Sequence, residues 1–184
     1  MDDLFNHVPE IQADGLVLRP VRRSDAGLIE MYGSDERVAR MTTSIPHPLP
    51  PGTTEAFVNR AMTNPDLEMI WAMDASANGG AELKGIISLE RMEMGPNGGP
   101  SQSEIGYWVA PAWWNTGTAS AAVQALITAN PLQNDTIFAS CFQDNHASAR
   151  VLTNAGFAYV GDAETYSVAR NAKVATWTYI RKLN

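Results

Sequence analysis

Residues 103–129, which read SEIGYWVAPAWWNTGTASAAVQALITA, decide the fold of this chain. The first part, residues 104–109, is rich in aromatic and β-branched residues that alternate between two sides, and this pattern predicts a strand. Pro111 ends the strand. From residue 118 or 119 onward the spacing becomes that of a helix, with one apolar face formed by Ala119, Ala122, Val123, Leu126 and Ile127.

A run of small residues, Asn-Thr-Gly-Thr-Ala at 115–119, joins this strand to the helix. Small residues let a ligand approach the start of a helix, where the first N–H groups have no intrahelical partner. The helix dipole adds positive potential there, so the junction suits a phosphate group. No charged residue occurs from 116 to 133, and therefore no acidic first turn cancels this potential. A simple tight turn capped by Thr116 or Thr118 is the structural alternative.

The composition indicates one globular domain. The chain has 184 residues, of which 45% are hydrophobic, and this length allows one sizeable core but is short for two. The net charge of −7 argues against nucleic acid as a partner, because a phosphate backbone requires a basic surface. The same charge suits a cationic substrate, although an acidic surface also serves solubility.

Neither a membrane segment nor a metal site is expected. The sequence has no apolar run of membrane-spanning length, and its N-terminus, MDDLFNHVPE, lacks the basic and apolar regions of a signal peptide. We therefore expect a soluble cytoplasmic protein. The single cysteine, Cys141, excludes an internal disulfide and a Cys-rich zinc site, and three dispersed histidines do not favour a metal site.

Local patterns predict a single domain over residues 1–184, in which residues 1–14 form an N-terminal arm. The predicted strands cover residues 16–20, 68–73, 83–94, 104–109, 136–141, 157–160 and 174–183. The predicted helices cover residues 24–32, 35–41, 53–63, 118–129 and 146–155. Residues 95–100 are predicted as a turn and residues 161–171 as a polar connection. The strand–helix–strand crossover makes strand 136–141 parallel to strand 104–109.

Residues 42–52, which read TTSIPHPLPPG, contain four prolines and cannot form regular structure. We expect an ordered or partly ordered loop before the third helix. Two roles remain open for this loop: it is a connector, or it is a wall of a substrate pocket, since loops on a rigid scaffold often carry specificity.

Further motifs, taken with the opening stretch, indicate a family. The spaced pattern N-x-x-S-x-x-V-L-x-x-A-G-F of residues 145–157 follows EIGYWV of residues 104–109 and resembles the second signature of the GNAT N-acetyltransferases. LRP followed by SD within residues 18–25, and SIPHPL at 44–49, resemble the branch that includes the ribosomal-protein N-terminal acetyltransferases. The resemblance spans residues 16–183, and several motifs in one order are far more specific than any one alone.

The resemblance implies an α/β (α+β) fold: a mixed, mostly antiparallel sheet with helices on both faces. Its strand four (104–109) and strand five (136–141) are parallel but splayed, and acetyl-CoA is implied to lie in the opening. The implied pyrophosphate site is the backbone amides of Thr116, Gly117, Thr118 and Ala119. The pantetheine arm is implied to follow strand four along Tyr107, Trp108 and Val109, and to contact the side chain of Asn145.

The implied function is transfer of acetyl from acetyl-CoA to a primary amine, either a protein N-terminus or a small amine, by direct attack and without a metal. A backbone N–H aimed at the developing oxyanion can contribute about 3 kcal/mol. The amine must lose a proton, and Glu104 is the first candidate for the general base, with Glu90 in reserve. A structural, hydrogen-bonded carboxylate is the alternative role for Glu104. Ser148 stands where many family members have a tyrosine acid, and is expected to contact the cofactor sulfur or to orient water.

This chain departs from the family pattern in the phosphate loop. Trp114 occupies the first position of that loop, and Asn115 and Thr116 stand where basic residues are common. Arg150 is the remaining nearby cation that could reach a phosphate. A CoA-binding module with little or no catalysis is therefore the alternative function. Acetyl-CoA and an amine acceptor are the expected partners, and a homodimer remains open.

Overall fold

The computed structural model describes residues 8–94 and 97–183, which form one eight-stranded sheet and five α-helices. The strands are β1 (Ile11–Ala13), β2 (Leu16–Pro20), β3 (Glu68–Asp74), β4 (Gly85–Arg91), β5 (Gln102–Val109), β6 (Thr136–Phe142), β7 (Ala158–Ser167) and β8 (Ala172–Lys182). The helices are α1 (Ala26–Gly33), α2 (Glu36–Ala39), α3 (Thr53–Thr63), α4 (Thr118–Ala129) and α5 (His146–Asn154). Residues 1–7 of the predicted arm, and residues 95–96 of the predicted turn, lie outside the described residues.

The strands lie in the order β1-β2-β3-β4-β5-β6-β8-β7, and all neighbours are antiparallel except β5 and β6. β5 and β6 contain the predicted strands four and five, because β1 precedes the first predicted strand. α4 forms the crossover between them. The mixed sheet with helices on both faces confirms the predicted fold class.

β5 and β6 pair only over their first halves. Their register runs from Gln102↔Thr136 to Ile105↔Ala139 and then stops. Beyond that point β5 follows β4 as far as Val109, whereas β6 follows β8 as far as Phe142. The two parallel strands therefore splay apart, as the resemblance implies, and the sheet has an opening at its centre.

Successive residues of β5 point their backbone N–H and C=O groups alternately toward β4 and toward β6. The Gln102 carbonyl accepts from Met92 N–H at 3.0 Å, next to β4, while the Ser101 carbonyl accepts from Asp135 N–H at 2.8 Å, next to β6. The backbone groups of the even-numbered residues of β5 thus form hydrogen bonds with β4, and those of the odd-numbered residues point toward β6. Past Ile105, the backbone groups of the odd-numbered residues face the opening.

Helices cover both faces of the sheet and fix its position. α4 and α5 pack on one face, around buried side chains that include Ile105, Val123, Leu126, Ile137 and Leu152. α1 and α3 pack on the other face, around Ile29, Val58, Ile70, Leu83 and Ile86. A fully buried aliphatic side chain contributes about 1.5–3 kcal/mol. Both layers therefore hold the splayed strands rigidly in place.

A buried ion cluster joins β2, β3 and the segment before α1. The guanidinium of Arg19 is hydrogen-bonded to both oxygens of Asp25 at 2.8 Å and to Asp74 at 2.6 Å. All three residues are buried. The hydrogen bond to Asp25 is the largest of the effects that raise the pKa of Arg19. This cluster anchors the chain entering α1 to the sheet.

Two edge elements differ from the sequence prediction. Residues 11–13, within the predicted arm, form β1 and pair with β2 from Ile11↔Leu18. The predicted connection 161–171 is largely strand, because β7 continues to Ser167 and pairs with β8. Most side chains of β7 are exposed. A strand held mainly by backbone pairing has no apolar alternation to reveal it.

Candidate active site

The opening between β5 and β6 widens into a cleft of about 720 Å³. Its walls are the second half of β5, the end of β6, and the first turns of α4 and α5, and α2 adds Arg37 and Val38. We call this space the cofactor cleft. The predicted cofactor-binding residues that line it are Tyr107, Trp108, Val109, Gly117, Thr118, Ala119, Asn145 and Arg150. Thr116 does not line it.

The junction before α4 presents unpaired amides to the cofactor cleft. Gly117 precedes the helix with a φ of 81°, a backbone conformation that favours glycine, and no side chain caps the helix. The Thr116 hydroxyl instead donates to the Trp113 carbonyl at 2.6 Å and lies 2.9 Å from the Thr118 hydroxyl. The Thr116 hydroxyl therefore stabilises the turn at residues 114–117, and neither threonine caps the helix. The first N–H groups of α4 have no side-chain cap and are available to an anion.

Two arginines and one tryptophan line the cofactor cleft near the phosphate loop. Arg150 lines the cofactor cleft from α5, and Arg37 lines it from α2. The Arg37 guanidinium lies 5.7 Å from the centroid of the Trp114 ring and is hydrogen-bonded to Asp35 at 2.7 and 3.0 Å. The Trp114 indole N–H donates to the Val109 carbonyl at 2.7 Å. Sequence reasoning missed Arg37 because it lies far from the phosphate loop in the chain and carries no motif.

The backbone of β5 offers a short edge to a ligand. By the alternation described above, the N–H and C=O of Tyr107 and the N–H of Val109 face the opening. The Val109 carbonyl is occupied by the Trp114 indole. The backbone N–H and C=O of Trp108 point toward Ile86 of β4 and away from the opening, so Trp108 reaches the cleft only through its side chain.

Asn145 caps α5 and thereby positions Ser148. The Asn145 side-chain carbonyl accepts from the Ser148 N–H at 3.2 Å, which starts the helix at His146. The side-chain oxygen of Asn145 therefore has a structural partner. Its remaining amide hydrogens are the part available to a ligand, because Asn145 also lines the cofactor cleft.

A pair of hydroxyls lies at the floor of the cofactor cleft. The Tyr107 hydroxyl is 2.7 Å from the Ser148 hydroxyl. Burial raises the pKa of Tyr107, against the opposing effect of the hydrogen bond with Ser148. Burial also raises the pKa of the Cys141 thiol to about 11, again opposed by Ser148. At neutral pH both groups are therefore protonated, and Cys141 is a poor nucleophile.

A second space, which we call the acceptor cavity, lies on the α1 and α3 side of the sheet and has a volume of about 620 Å³. Thr42 to Pro46 and Leu49 of the proline-rich loop line it, so this loop is a wall and not only a connector. The acceptor cavity and the cofactor cleft share seven lining residues, which are Met41, Thr42, Ile105, Gly106, Tyr107, Trp108 and Ser140. The two spaces therefore meet at the splay.

Glu104 lines the acceptor cavity and is exposed to it. The Ser140 hydroxyl donates to a Glu104 carboxylate oxygen at 3.1 Å. Glu90, the reserve candidate, is the cross-strand neighbour of Glu104, and Glu68 is the next neighbour on β3. Burial and then the carboxylates of Glu68 and Glu104 raise the pKa of Glu90. The structure thus places both predicted base candidates in one cavity, and adds Glu68, which no sequence motif marked.

A family model for the acetyltransferase (GNAT) domain matches residues 15–158, which is most of the chain. The chain therefore belongs to the GNAT acetyltransferase family, as its motifs predict. Members of this class transfer acetyl groups from acetyl-CoA, and the chain is an acetyl-CoA-dependent N-acetyltransferase. No curated protein sequence matches the chain at a significant level.

Solved structures agree on the fold. An acetyltransferase of the GNAT family from Bacillus anthracis has a TM-score of 0.77 at 22% identity, with 95% of this chain and 99% of that chain covered. Ribosomal-protein-S5-alanine acetyltransferase from Vibrio fischeri has a TM-score of 0.76 at 18% identity, with 96% and 97% covered. Spermidine N-acetyltransferase from Vibrio cholerae, solved with CoA and spermine, has a TM-score of 0.71 at 15% identity, with 92% and 98% covered.

Residues 8–94 and 97–183 lack two further features. None of the helices there has the length and apolar character needed to cross a membrane. No group of three or more His, Cys, Asp or Glu side chains in the same residues is arranged to hold a metal ion.

Proposed function

We propose that the protein transfers acetyl from acetyl-CoA to a primary amine by direct attack of the amine on the thioester. The observation that carries this proposal is the meeting of two spaces at the splay. The cofactor cleft lies among β5, β6, α4 and α5, and the acceptor cavity lies against α1 and α3. Two reactants that enter these spaces come together at Gly106 and Ser140, and such alignment alone lowers the barrier considerably.

The donor fits the cofactor cleft by its chemistry. The amides of Gly117, Thr118 and Ala119, which line the cleft, would hold the diphosphate, with Arg150 and Arg37 as the nearby cations. The backbone edge of Tyr107 and Val109 would hold the pantetheine amides, beside the Trp108 side chain and the free amide hydrogens of Asn145. Acetyl-CoA supplies the activated thioester when it is bound.

Glu104 would accept the proton of the amine, since it faces the acceptor cavity and its carboxylate is oriented by Ser140. A backbone N–H of β5 next to the splay would stabilise the negative charge that develops on the carbonyl oxygen. The carbon–sulfur bond then breaks, and the Ser148 hydroxyl would donate a hydrogen bond to the leaving thiolate, which takes up a proton from solvent.

Tyr107 supports this role of Ser148. Because burial raises the pKa of Tyr107, its hydroxyl stays protonated and can donate to the Ser148 hydroxyl oxygen at 2.7 Å, with the Ser148 carbonyl oxygen as a longer alternative at 3.4 Å. The Ser148 hydrogen is then free to point elsewhere, including toward the cofactor cleft that Ser148 lines. A hydrogen bond accepted from Tyr107 also polarises the Ser148 hydroxyl and makes it a better donor to the sulfur.

The acceptor could be a protein N-terminus or a small amine. The structural neighbours include an acetyltransferase named for the alanine of ribosomal protein S5 and one named for spermidine. The alternative function is a CoA-binding module with little or no catalysis. The observation in its favour is the phosphate loop, where Asn115 and Thr116 stand at the positions of the family's basic residues.

A thiol-release assay separates the two functions. Single-turnover mixing with acetyl-CoA and a panel of amines is expected to release free thiol, and Glu104→Gln is expected to slow release about 100-fold. Glu93→Gln is the matched control, because Glu93 is exposed and outside the acceptor cavity. A rise in melting temperature with CoA, but no thiol release from any amine, would support the binding module. An unchanged rate in Glu104→Gln would assign Glu104 a structural role only.

A further inference from the structure

Three glutamates form a row across the floor of the acceptor cavity. The strand register places Glu68 opposite Glu90 and Glu90 opposite Glu104, so all three side chains lie on the same face of β3, β4 and β5. All three line the cavity. Cross-strand neighbours lie about 5 Å apart, and the row therefore extends about 10 Å from the splay outward.

The row carries more negative charge than the cavity neutralises. Arg60 is the one basic residue among the lining residues, and its Nε lies 3.7 Å from the Glu68 carboxylate. Within residues 8–94 and 97–183, no cation lies within ion-pair distance of Glu90 or Glu104. Like charges on neighbouring strands repel, and a bound cation relieves that repulsion.

The three carboxylates do not converge as metal ligands do, since no group in the described part of the chain could hold a metal ion. The three carboxylates instead lie one after another along a line, so each can pair with a different ammonium group of the same molecule. An alkyl spacer of three or four carbons places two ammonium groups about 5–6 Å apart, close to the spacing of the row.

The rest of the acceptor cavity suits the spacer. Ile45, Leu49 and Phe57 give it apolar walls. Thr54 also lines the cavity and is 4% exposed, and its hydroxyl makes no hydrogen bond to the described residues. This hydroxyl is therefore a polar group in the cavity wall that a ligand can reach.

We propose that the acceptor is an alkyl di- or polyamine that presents one nitrogen to Glu104 for acetylation and holds a second, protonated nitrogen against Glu90 and Glu68. This inference rests on the proposed function. A peptide N-terminus has one charged nitrogen and then polar backbone, so it fits neither the second carboxylate nor the apolar walls. The reacting nitrogen loses its proton to Glu104, forms the amide bond as the carbon–sulfur bond breaks, and the second nitrogen stays charged.

The test compares 1,3-diaminopropane with propylamine and with trialanine. We expect kcat/KM to be at least tenfold higher for the diamine than for either of the other acceptors. Because a diamine also has a less basic nitrogen, the decisive measurement is the diamine-to-propylamine ratio in variants. Glu90→Gln and Glu68→Gln are expected to lower this ratio at least fivefold, while Glu93→Gln leaves it unchanged.

The failures of the two proposals are distinguishable. Thiol release from trialanine or propylamine that equals release from the diamine would overturn the substrate inference and leave acetyl transfer standing. No thiol release from any amine would overturn the proposed function. In that case, calorimetric titration of 1,3-diaminopropane into the CoA-saturated protein decides the inference: binding that weakens in Glu90→Gln supports it, and no binding overturns it.

Discussion

At the scale of single residues, the site is organised by hydroxyls that orient acidic or proton-donating groups. Ser140 donates to Glu104 on one side of the splay, and Tyr107 lies in hydrogen-bond contact with Ser148 on the other. Sequence patterns marked Glu104, Tyr107 and Ser148, since each belongs to a motif. They could not mark the two pairings, because Ser140 and Ser148 are 36 and 41 residues from their partners.

The Tyr107–Ser148 pair leads to a prediction for catalysis. Tyr107→Phe removes one hydrogen bond of about 1 kcal/mol and is expected to lower kcat about fivefold to tenfold, with little change in the KM for acetyl-CoA. Ser148→Ala is expected to lower kcat further than Tyr107→Phe does. The two losses should not add in the double variant, because both remove the same contact. Additive losses in steady-state kinetics would show that the two hydroxyls act independently.

Glu90 leads to a prediction for stability. Its pKa is raised in the folded protein, so the folded state holds this proton more tightly than the unfolded state does, and stability falls as pH rises from the unfolded pKa through the folded pKa. At pH 7 the ionised Glu90 therefore disfavours the fold. Glu90→Gln is expected to raise the melting temperature by about 1–3 °C at pH 7 and by less at pH 4. A lower melting temperature at pH 7 would contradict the electrostatic account.

At the scale of elements, the paired edge of β5 holds the site in position. A Cβ added at Gly85 of β4 would lie 2.2 Å from the Trp108 carbonyl oxygen. Gly106 is different, since its added Cβ would meet only the Ser88 hydroxyl, at an ordinary 3.6 Å. The fold therefore requires a glycine at Gly85, whereas Gly106 keeps open the place where the cofactor cleft and the acceptor cavity meet.

These two glycines separate folding from catalysis. Gly85→Ala is expected to destabilise the protein by about 2–3 kcal/mol, because backbone must shift between β4 and β5. Gly106→Ala is expected to keep the midpoint of urea unfolding within error of the parent protein and to lower kcat/KM at least tenfold, since a methyl group enters the splay. If Gly106→Ala retained full acetyl transfer, the reactants would have to meet elsewhere.

Elements with strong patterns could be predicted from the sequence, and those held by pairing alone could not. The alternation of residues 104–109, the helical spacing of α4 and the Asn145 cap all carry local signals, and the structure has each of them. β1 and the second half of β7 are edge strands with little apolar alternation. The cation Arg37 and the carboxylate Glu68 were also missed, because only the tertiary fold brings them to the site.

At the scale of the whole molecule, the Arg19 cluster ties one helical layer to the sheet. Burial alone would raise the pKa of Asp74, but hydrogen bonds from Ser76 and Arg19 outweigh it and hold the pKa below its usual value. A depressed carboxyl pKa adds stability that is present above the unfolded pKa and is lost as pH falls through the folded pKa. The cluster therefore contributes to acid sensitivity.

A pair of variants tests the cluster. Asp74→Asn removes one partner of a buried arginine and is expected to cost about 3–5 kcal/mol at pH 7. The control is Asp35→Asn, which breaks a more exposed pair with Arg37, keeps an N-cap residue and is expected to cost less than about 1 kcal/mol. Urea unfolding at pH 7 and pH 3 measures both, and the gap between Asp74→Asn and the parent should narrow at pH 3. If the two variants lost the same free energy of unfolding at pH 7, the cluster would have no special role in stability.

The incomplete pairing of β5 with β6 also has a kinetic consequence. The cofactor cleft and the acceptor cavity share a border, but most of their lining residues differ, so neither reactant needs to leave before the other arrives. Turnover then proceeds through a ternary complex. Double-reciprocal plots of initial velocity against one substrate, at several fixed concentrations of the other, should therefore intersect and not run parallel. Desulfo-CoA, which lacks the reacting sulfur, should compete with acetyl-CoA for the cofactor cleft and leave the amine site open.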